Sequence, residues 1–87
     1  MKKLALILPA YNEELTIVQT IKSFHQEISH AYFVVVDNNS SDKTAFLARK
    51  TMHELNIDGM VLFEGRKGKG NAVRRAFLEI DAELYIM

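Results

Sequence analysis

Residues 64–75, EGRKGKGNAVRR, set a glycine–lysine–glycine triplet, Gly68-Lys69-Gly70, beside Arg66 and Lys67 and ahead of Arg74 and Arg75. Glycine lets a backbone approach a ligand closely, and the start of a helix offers unpaired N–H groups to an anion. A phosphate-bearing ligand suits such a segment. The chain as a whole carries 11 basic and 11 acidic side chains, so this is a local basic patch in a neutral molecule. The neutrality gives no electrostatic reason to expect nucleic acid or an anionic membrane as partner. Two phosphate-binding patterns fail on spacing. Gly65 and Gly70 have the Walker A separation, but Asn71 stands where lysine is required. In the dinucleotide fingerprint, Gly68 and Gly70 need a third glycine at position 73, which is Val73, and the loop follows a third strand instead of a first. A surface loop with solvated lysines fits the same spacing.

Two further stretches carry polar chemistry. In YFVVVDNNSSDKT, residues 32–44, an apolar run stops on Asp37. A carboxylate at the end of a buried strand can accept a hydrogen bond from a ribose hydroxyl or a base N–H. Asp also caps turns, but Ser40, Ser41 and Asp42 already supply turn and cap chemistry, which argues for the ligand role. In PAYNEE, residues 9–14, Tyr11 offers a ring to stack on a base or sugar, and Asn12 and Glu13 bring hydrogen-bonding groups to the same place. A helix cap with an exposed aromatic is the alternative there. His25, His30 and His53 show no metal-ligand spacing and read as surface residues. With no cysteine, a disulfide frame and a thiolate metal site are both excluded, and a reducing cytosol fits.

The elements that must position these residues follow from periodicity. The 87 residues allow one small domain, and 48% apolar with 25% charged residues is ordinary for a soluble globular one. Leu4–Leu8 is an apolar run suited to a strand buried on both faces, ended by Pro9. MKKLALILPAYNEE has a faint look of a signal peptide, but that run is too short for one, and no stretch approaches transmembrane length. Asn12 is expected to cap a helix with Ile17, Ile21, Phe24 and Ile28 on one stripe, ending near Ser29–His30. Tyr32–Val36 reads as a second buried strand. Ser40 or Ser41 is expected to cap a second helix bearing Phe46, Leu47 and Leu55, with Gly59 as its stop signal. Met60–Phe63 is a third strand, Glu64–Gly70 a loop, and Ala72–Ile80 a third helix with Val73, Phe77 and Ile80 on one side. Leu84–Met87 begins a fourth apolar run. The order β-α-β-α-β-α-β implies an α/β fold, Rossmann-like and three-layered, with parallel strands and right-handed crossovers. All strand-to-helix loops then lie on one edge of the sheet, where ligands bind in such folds. Those loops are the three stretches described above.

LILPAYNEE, VVVDNNSSDKT and GRKGKGNAVRRAF, in that order and spacing, resemble the N-terminal nucleotide-binding half of family-2 glycosyltransferases with the GT-A fold. The likeness spans essentially the whole chain. It implies a parallel four-stranded sheet in the order 3-2-1-4 and nucleotide-binding roles for Pro9, Tyr11, Asn12, Glu13, Asp37, Asn39, Arg66, Lys69 and Gly70. The carboxylate matching Asp37 contacts the base in that family, typically the uracil of a UDP-sugar, and the cations beside Gly68 are available to the diphosphate. Where the family often has Asp-Gly after the strand-end Asp, this chain has Asn38 and Asn39. The family's fourth strand runs into an Asp-x-Asp motif that holds a divalent metal, Mn or Mg, against the donor diphosphate. No Asp-x-Asp occurs in these 87 residues.

The resemblance therefore implies the donor-binding half of a glycosyltransferase acting on a hydroxyl or lipid-phosphate acceptor. The alternative is a non-catalytic nucleotide-binding module. The expectation is a fragment of a longer domain, inactive alone, without catalytic or metal-ligating residues of its own and able to self-associate through the edge of its fourth strand. The parent is expected in the cytoplasm, or at the cytoplasmic face of a membrane. A receiver-type signalling domain is disfavoured because no Asp ends the third strand, and a nicotinamide-binding domain because its fingerprint is missing.

Overall fold

The computed structural model describes residues 2–86. Seven elements alternate along the chain: β1 (Lys2–Ala10), α1 (Ile17–Glu27), β2 (Tyr32–Asp37), α2 (Thr44–Glu54), β3 (Gly59–Phe63), α3 (Lys69–Glu79) and β4 (Ala82–Ile86). The four strands form one sheet in the order β3-β2-β1-β4, every neighbouring pair parallel. This is the order that the family resemblance implies. Met87, the end of the expected fourth run, lies outside the described residues.

The central strands explain why helices cover both faces of the sheet. Ala5, Leu6, Ile7, Phe33, Val34, Val35 and Val36 are all fully buried, so β1 and β2 need cover on both faces. On one face Leu6, Phe33 and Val35 pack with Ile17 and Ile21 of α1 and with Ala48 and Met52 of α2. On the other, Ala5, Ile7, Val34 and Val36 meet Ala72 and Ala76 of α3 and Ile80 just after it. Each large side chain removed from water in this way contributes about 1.5–3 kcal/mol. On α3 the small residues, four apart, face the sheet and let the helix lie close. The stripe read from sequence, through Val73 and Phe77, is rotated by one position. Phe77 is 45% exposed and meets Tyr85 edge-on at 4.7 Å instead. Phe46 likewise points outward, at 60% exposure.

Several boundaries differ from the sequence expectations for identifiable reasons. Pro9 does not end β1. Its partner in the ladder is Val36, and the strand continues to Ala10. The Ala10 carbonyl accepts the Asn38 N–H at 2.8 Å, so the backbone of the preceding residue faces the β4 side. There the described pairing ends at Leu6↔Ile86, and proline's missing N–H interrupts no described bond. Asn12 does not cap α1, which starts at Ile17 after a turn closed by the Glu13 carbonyl. Neither Ser40 nor Ser41 caps α2. The N-cap is Lys43, without a side-chain cap, and Asp42 just before it accepts the Thr44 N–H on Oδ1 at 3.0 Å in an Asx-type turn.

The stop of α2 is Asn56, not Gly59. Asn56 takes φ 54°, its N–H bonds the His53 carbonyl at 3.1 Å, and the Ile57 N–H bonds the Met52 carbonyl at 2.9 Å. This is the paired closure of a Schellman motif, with asparagine in the left-handed position. His25 is half-buried instead of a surface residue. Its ring meets Phe33 edge-on at 6.3 Å, and its buried Nδ1 has no partner among the described residues.

Gly59 has a packing role at the start of β3. A Cβ there would lie 2.1 Å from the Phe33 carbonyl oxygen and 2.7 Å from the end of Met52. Backbone cannot yield as a side chain can. Gly59→Ala is therefore expected to lower the unfolding free energy by about 1–3 kcal/mol, read from the urea midpoint at unchanged m-value.

Candidate nucleotide-binding edge

The register of the sheet builds the site. Ala10 pairs with Asp37, and Asp37 with Phe63, so β1, β2 and β3 end on one rung. Three loops leave this common line side by side. After the last ladder bonds, from the Asn38 N–H to the Ala10 carbonyl and from the Glu64 N–H to the Asp37 carbonyl, side chains of neighbouring loops take up many of the backbone N–H groups.

The first two loops brace each other reciprocally. The Asn12 N–H bonds Ser40 Oγ at 2.9 Å, while Asn12 Oδ1 accepts the Ser41 N–H at 2.8 Å. The Glu13 N–H bonds the buried Thr44 Oγ1 at 2.8 Å. The Glu14 N–H bonds Asp42 Oδ2 at 3.2 Å, and Glu14 Oε1 accepts the Lys43 N–H at 3.1 Å. Thr44 also donates its hydroxyl to Asp42. That bond heads the causes that hold the Asp42 carboxyl below its ordinary value, followed by opposing desolvation and by backbone donors from Thr44 and Glu14.

The third loop is fixed by two buried side chains. Asn38, one residue past the end of β2, donates from Nδ2 to the Glu64 carbonyl at 3.0 Å and to the Arg66 carbonyl at 2.7 Å. Its Oδ1 accepts the Gly68 N–H at 3.1 Å. Glu64 follows the end of β3 and is 2% exposed. Its carboxylate accepts the Arg66 N–H at 2.8 Å, Arg66 Nε at 3.0 Å and Arg75 Nε at 3.2 Å. Gly68 has φ 110° and ψ 141°, a conformation open to glycine alone, and turns the chain into α3.

The nine residues implicated from sequence fare differently. Pro9, Tyr11 and Lys69 come together. Tyr11 and Lys69, with Asn38, Lys67 and Gly68, line a cleft of about 430 Å³. Pro9 lines an adjoining space of about 380 Å³ with Ile7, Ala10, Tyr11 and Lys69. Asp37 lies beneath this rim, 6% exposed, its Oδ1 accepting the Ser40 N–H at 3.2 Å. It therefore does the turn work that the sequence reading had assigned to its neighbours, and Oδ2 has no partner among the described residues. Asn12 is occupied in the loop brace. Glu13 is exposed and contributes its backbone to that brace. Asn39 is exposed at φ 64°, a turn position that asparagine tolerates. The Arg66 guanidinium is committed to Glu64. Gly70 lies in the first turn of α3 with open space around it and no positive φ.

Three residues outside the nine prove central: Asn38, Lys67 and Glu64. Asn38 and Glu64 occupy equivalent places, each just past its strand's last rung, and that register is the signal that marks them. Lys67 and Lys69 form no ion pair among the described residues, in contrast to Arg66 and Arg75. Another cavity, of about 260 Å³ and bordered by Met52, His53, Gly59 and Met60, lies at the opposite end of β3. No three His, Cys, Asp or Glu side chains among the described residues gather within reach of one metal ion.

The Arg66 side chain, followed by the Arg66 N–H, holds the Glu64 carboxyl down at about 2, against an ordinary 4.5. A lowered carboxylate contributes stability above its unfolded value and loses it as pH falls toward the folded one. Between pH 4.5 and 2 the thermal midpoint of the native chain should therefore fall more steeply than that of Glu64→Gln, as followed by circular dichroism.

Residues 5–87 match the family described as Glycosyl transferase family 2. Protein RfbJ of Shigella flexneri is 40% identical over 87 residues, which cover 97% of this chain and 60% of that protein. The Probable glycosyltransferase YdaM of Bacillus subtilis (strain 168) is 28% identical, over 97% of this chain and 21% of its own length. Among solved structures, the mannosyltransferase PcManGT from Pyrobaculum calidifontis, in complex with GDP-Man and Mn2+, matches 91% of this chain and 24% of its own with a TM-score of 0.80. At 24% identity that likeness speaks for the fold. Glucosyl-3-phosphoglycerate synthase from Mycobacterium tuberculosis, in complex with Mn2+, UDP and phosphoglyceric acid, matches 98% of this chain and 32% of its own, with a TM-score of 0.77 and 25% identity. The chain thus spans between 21% and 60% of the length of these curated relatives. With its sheet order, its three converging loops and a family match across residues 5–87, the chain belongs to glycosyl transferase family 2.

Proposed function

We propose that this chain forms the donor-binding part of a nucleotide-sugar-dependent glycosyltransferase, which transfers the sugar of a UDP-sugar to a hydroxyl or lipid-phosphate acceptor. The observation that carries the reading is the cleft where Tyr11, Asn38, Lys67, Gly68 and Lys69 converge at the carboxyl edge of a parallel sheet. Its size of about 430 Å³ lies within the range of small-molecule sites. The UDP complex of the mycobacterial synthase, which shares the fold, supports the choice of nucleotide.

In this reading each group has a task set by its surroundings. The exposed Tyr11 ring stacks on the base. Asp37 receives a base N–H on Oδ2, since Oδ1 is held by Ser40. The N–H groups of Lys69 and Gly70 at the start of α3, together with the ammonium groups of Lys67 and Lys69, face the diphosphate, where negative charge grows as the sugar departs. Arg66 acts through the loop. A divalent metal, Mn2+ or Mg2+, belongs to the parent enzyme through ligands that these 87 residues do not carry. The chemistry of the chain itself is binding and orientation. No described helix is long and apolar enough to cross a membrane. As part of this proposal the reaction runs in the cytoplasm, whose reducing conditions suit a chain without cysteine, and at the membrane face when the acceptor is a lipid phosphate. The outer edge of β4, where Leu84 is exposed, is the surface for further strands or a second copy.

Titration calorimetry with UDP and GDP at low salt tests the assignment. UDP is expected to bind, Asp37→Ala to abolish the heat, and Lys69→Ala to weaken affinity about tenfold, the scale of one charge-assisted hydrogen bond. Arg66→Ala should weaken it less, because its guanidinium already has a partner. A folded chain that gives no heat with either nucleotide sinks the reading.

A further inference from the structure

Asn38 occupies a place that neither the basic patch nor the strand-end carboxylate explains. It is 8% exposed, and three of the four hydrogen bonds its carboxamide can form are made to one loop. Both donors go to carbonyls, of Glu64 and Arg66, and the oxygen receives the Gly68 N–H. Those three anchor points span the entire segment between the end of β3 and the start of α3. No other described side chain of the second loop bonds the third. The remaining tie between them is the backbone bond from the Glu64 N–H to the Asp37 carbonyl, which continues the ladder.

The bond to Gly68 matters most. At φ 110° this residue sits in the region where glycine has the greatest freedom, so its conformation must be held by its surroundings. Directly after it come the N–H groups of Lys69 and Gly70, which begin α3. Whatever fixes the Gly68 amide fixes the direction of those donors and the position of Lys69. Glu64 holds the other half of the loop through the Arg66 N–H, but nothing in its contacts reaches Gly68.

We propose that Asn38 is a positioning residue, whose carboxamide sets the Gly68 turn and thereby pre-arranges the start of α3 for the donor diphosphate. The proposal rests on the nucleotide-binding reading given above. It separates Asn38 from the aspartate that often stands at this place in the family. A carboxylate has no hydrogen to give to the Glu64 and Arg66 carbonyls, and its second oxygen would face both of them.

Amide hydrogen exchange of the nucleotide-free chain, together with UDP titration, tests this. In Asn38→Ala and in the near-isosteric Asn38→Asp, the Gly68 amide is expected to exchange at least tenfold faster, while Val34 and Val35 keep their protection and report an intact sheet. UDP affinity should fall about tenfold in both, the scale of one or two lost hydrogen bonds. A residue that only touched the ligand would leave exchange in the free chain unchanged. Unchanged Gly68 exchange in a folded variant overturns the proposal, and so does faster exchange with unchanged UDP affinity. A native chain that binds no UDP is a different result, the failure of the nucleotide reading itself.

Discussion

The structure depends on one rung of the sheet. Ala10, Asp37 and Phe63 stand side by side, and past them three chains leave the ladder together. Backbone donors that lose a ladder partner near a protein's interior must find another. In this fold they find one another's side chains. Asn12, Ser40, Asp42, Thr44, Asn38 and Glu64 each satisfy a backbone group of a different loop or of their own turn. The polar residues that look like a crowd of ligand contacts are, in large part, the means by which the rim holds its shape.

That division of labour also settles the electrostatics. Five cations fall between positions 66 and 75, but one buried carboxylate, Glu64, binds two of them. Arg75 has Glu79 as a second partner at 3.6 Å. The positive charge left at the cleft comes from Lys67 and Lys69, on either side of the glycine that turns the chain. Flexible ammonium side chains thus line the cleft, while the rigid forked guanidinium of Arg66 serves the framework.

The sheet order is what the family resemblance implies, while the parallel strands and the convergence of three loops on one edge are legible in the residues themselves. Long apolar runs buried on both faces leave few alternatives, and the handedness of the crossovers removes most of those. Helix starts are less legible. Asn12, Ser40 and Ser41 have the side chains of caps but are taken up by contacts 28 or 29 residues away, which no local pattern reveals. The stripe of α3 follows the alanines because closeness to the sheet outweighs the bulk of Phe77. At the site, Tyr11, Pro9 and Lys69 can be read from type and place. Asn38 and Glu64 emerge only when the register of β2 against β3 is known, and the same register shows Arg66 to be occupied.

The mutual bracing of residues 11–14 with 38–44 means that neither segment is a self-sufficient unit. Each carries the acceptors that the other's amides require. Transplanting one into a foreign scaffold would strand unsatisfied donors on both sides of the graft. Inherited drift in one should be tolerated only when its counterpart changes in step, so the two stretches behave as a single heritable part written in two places along the chain.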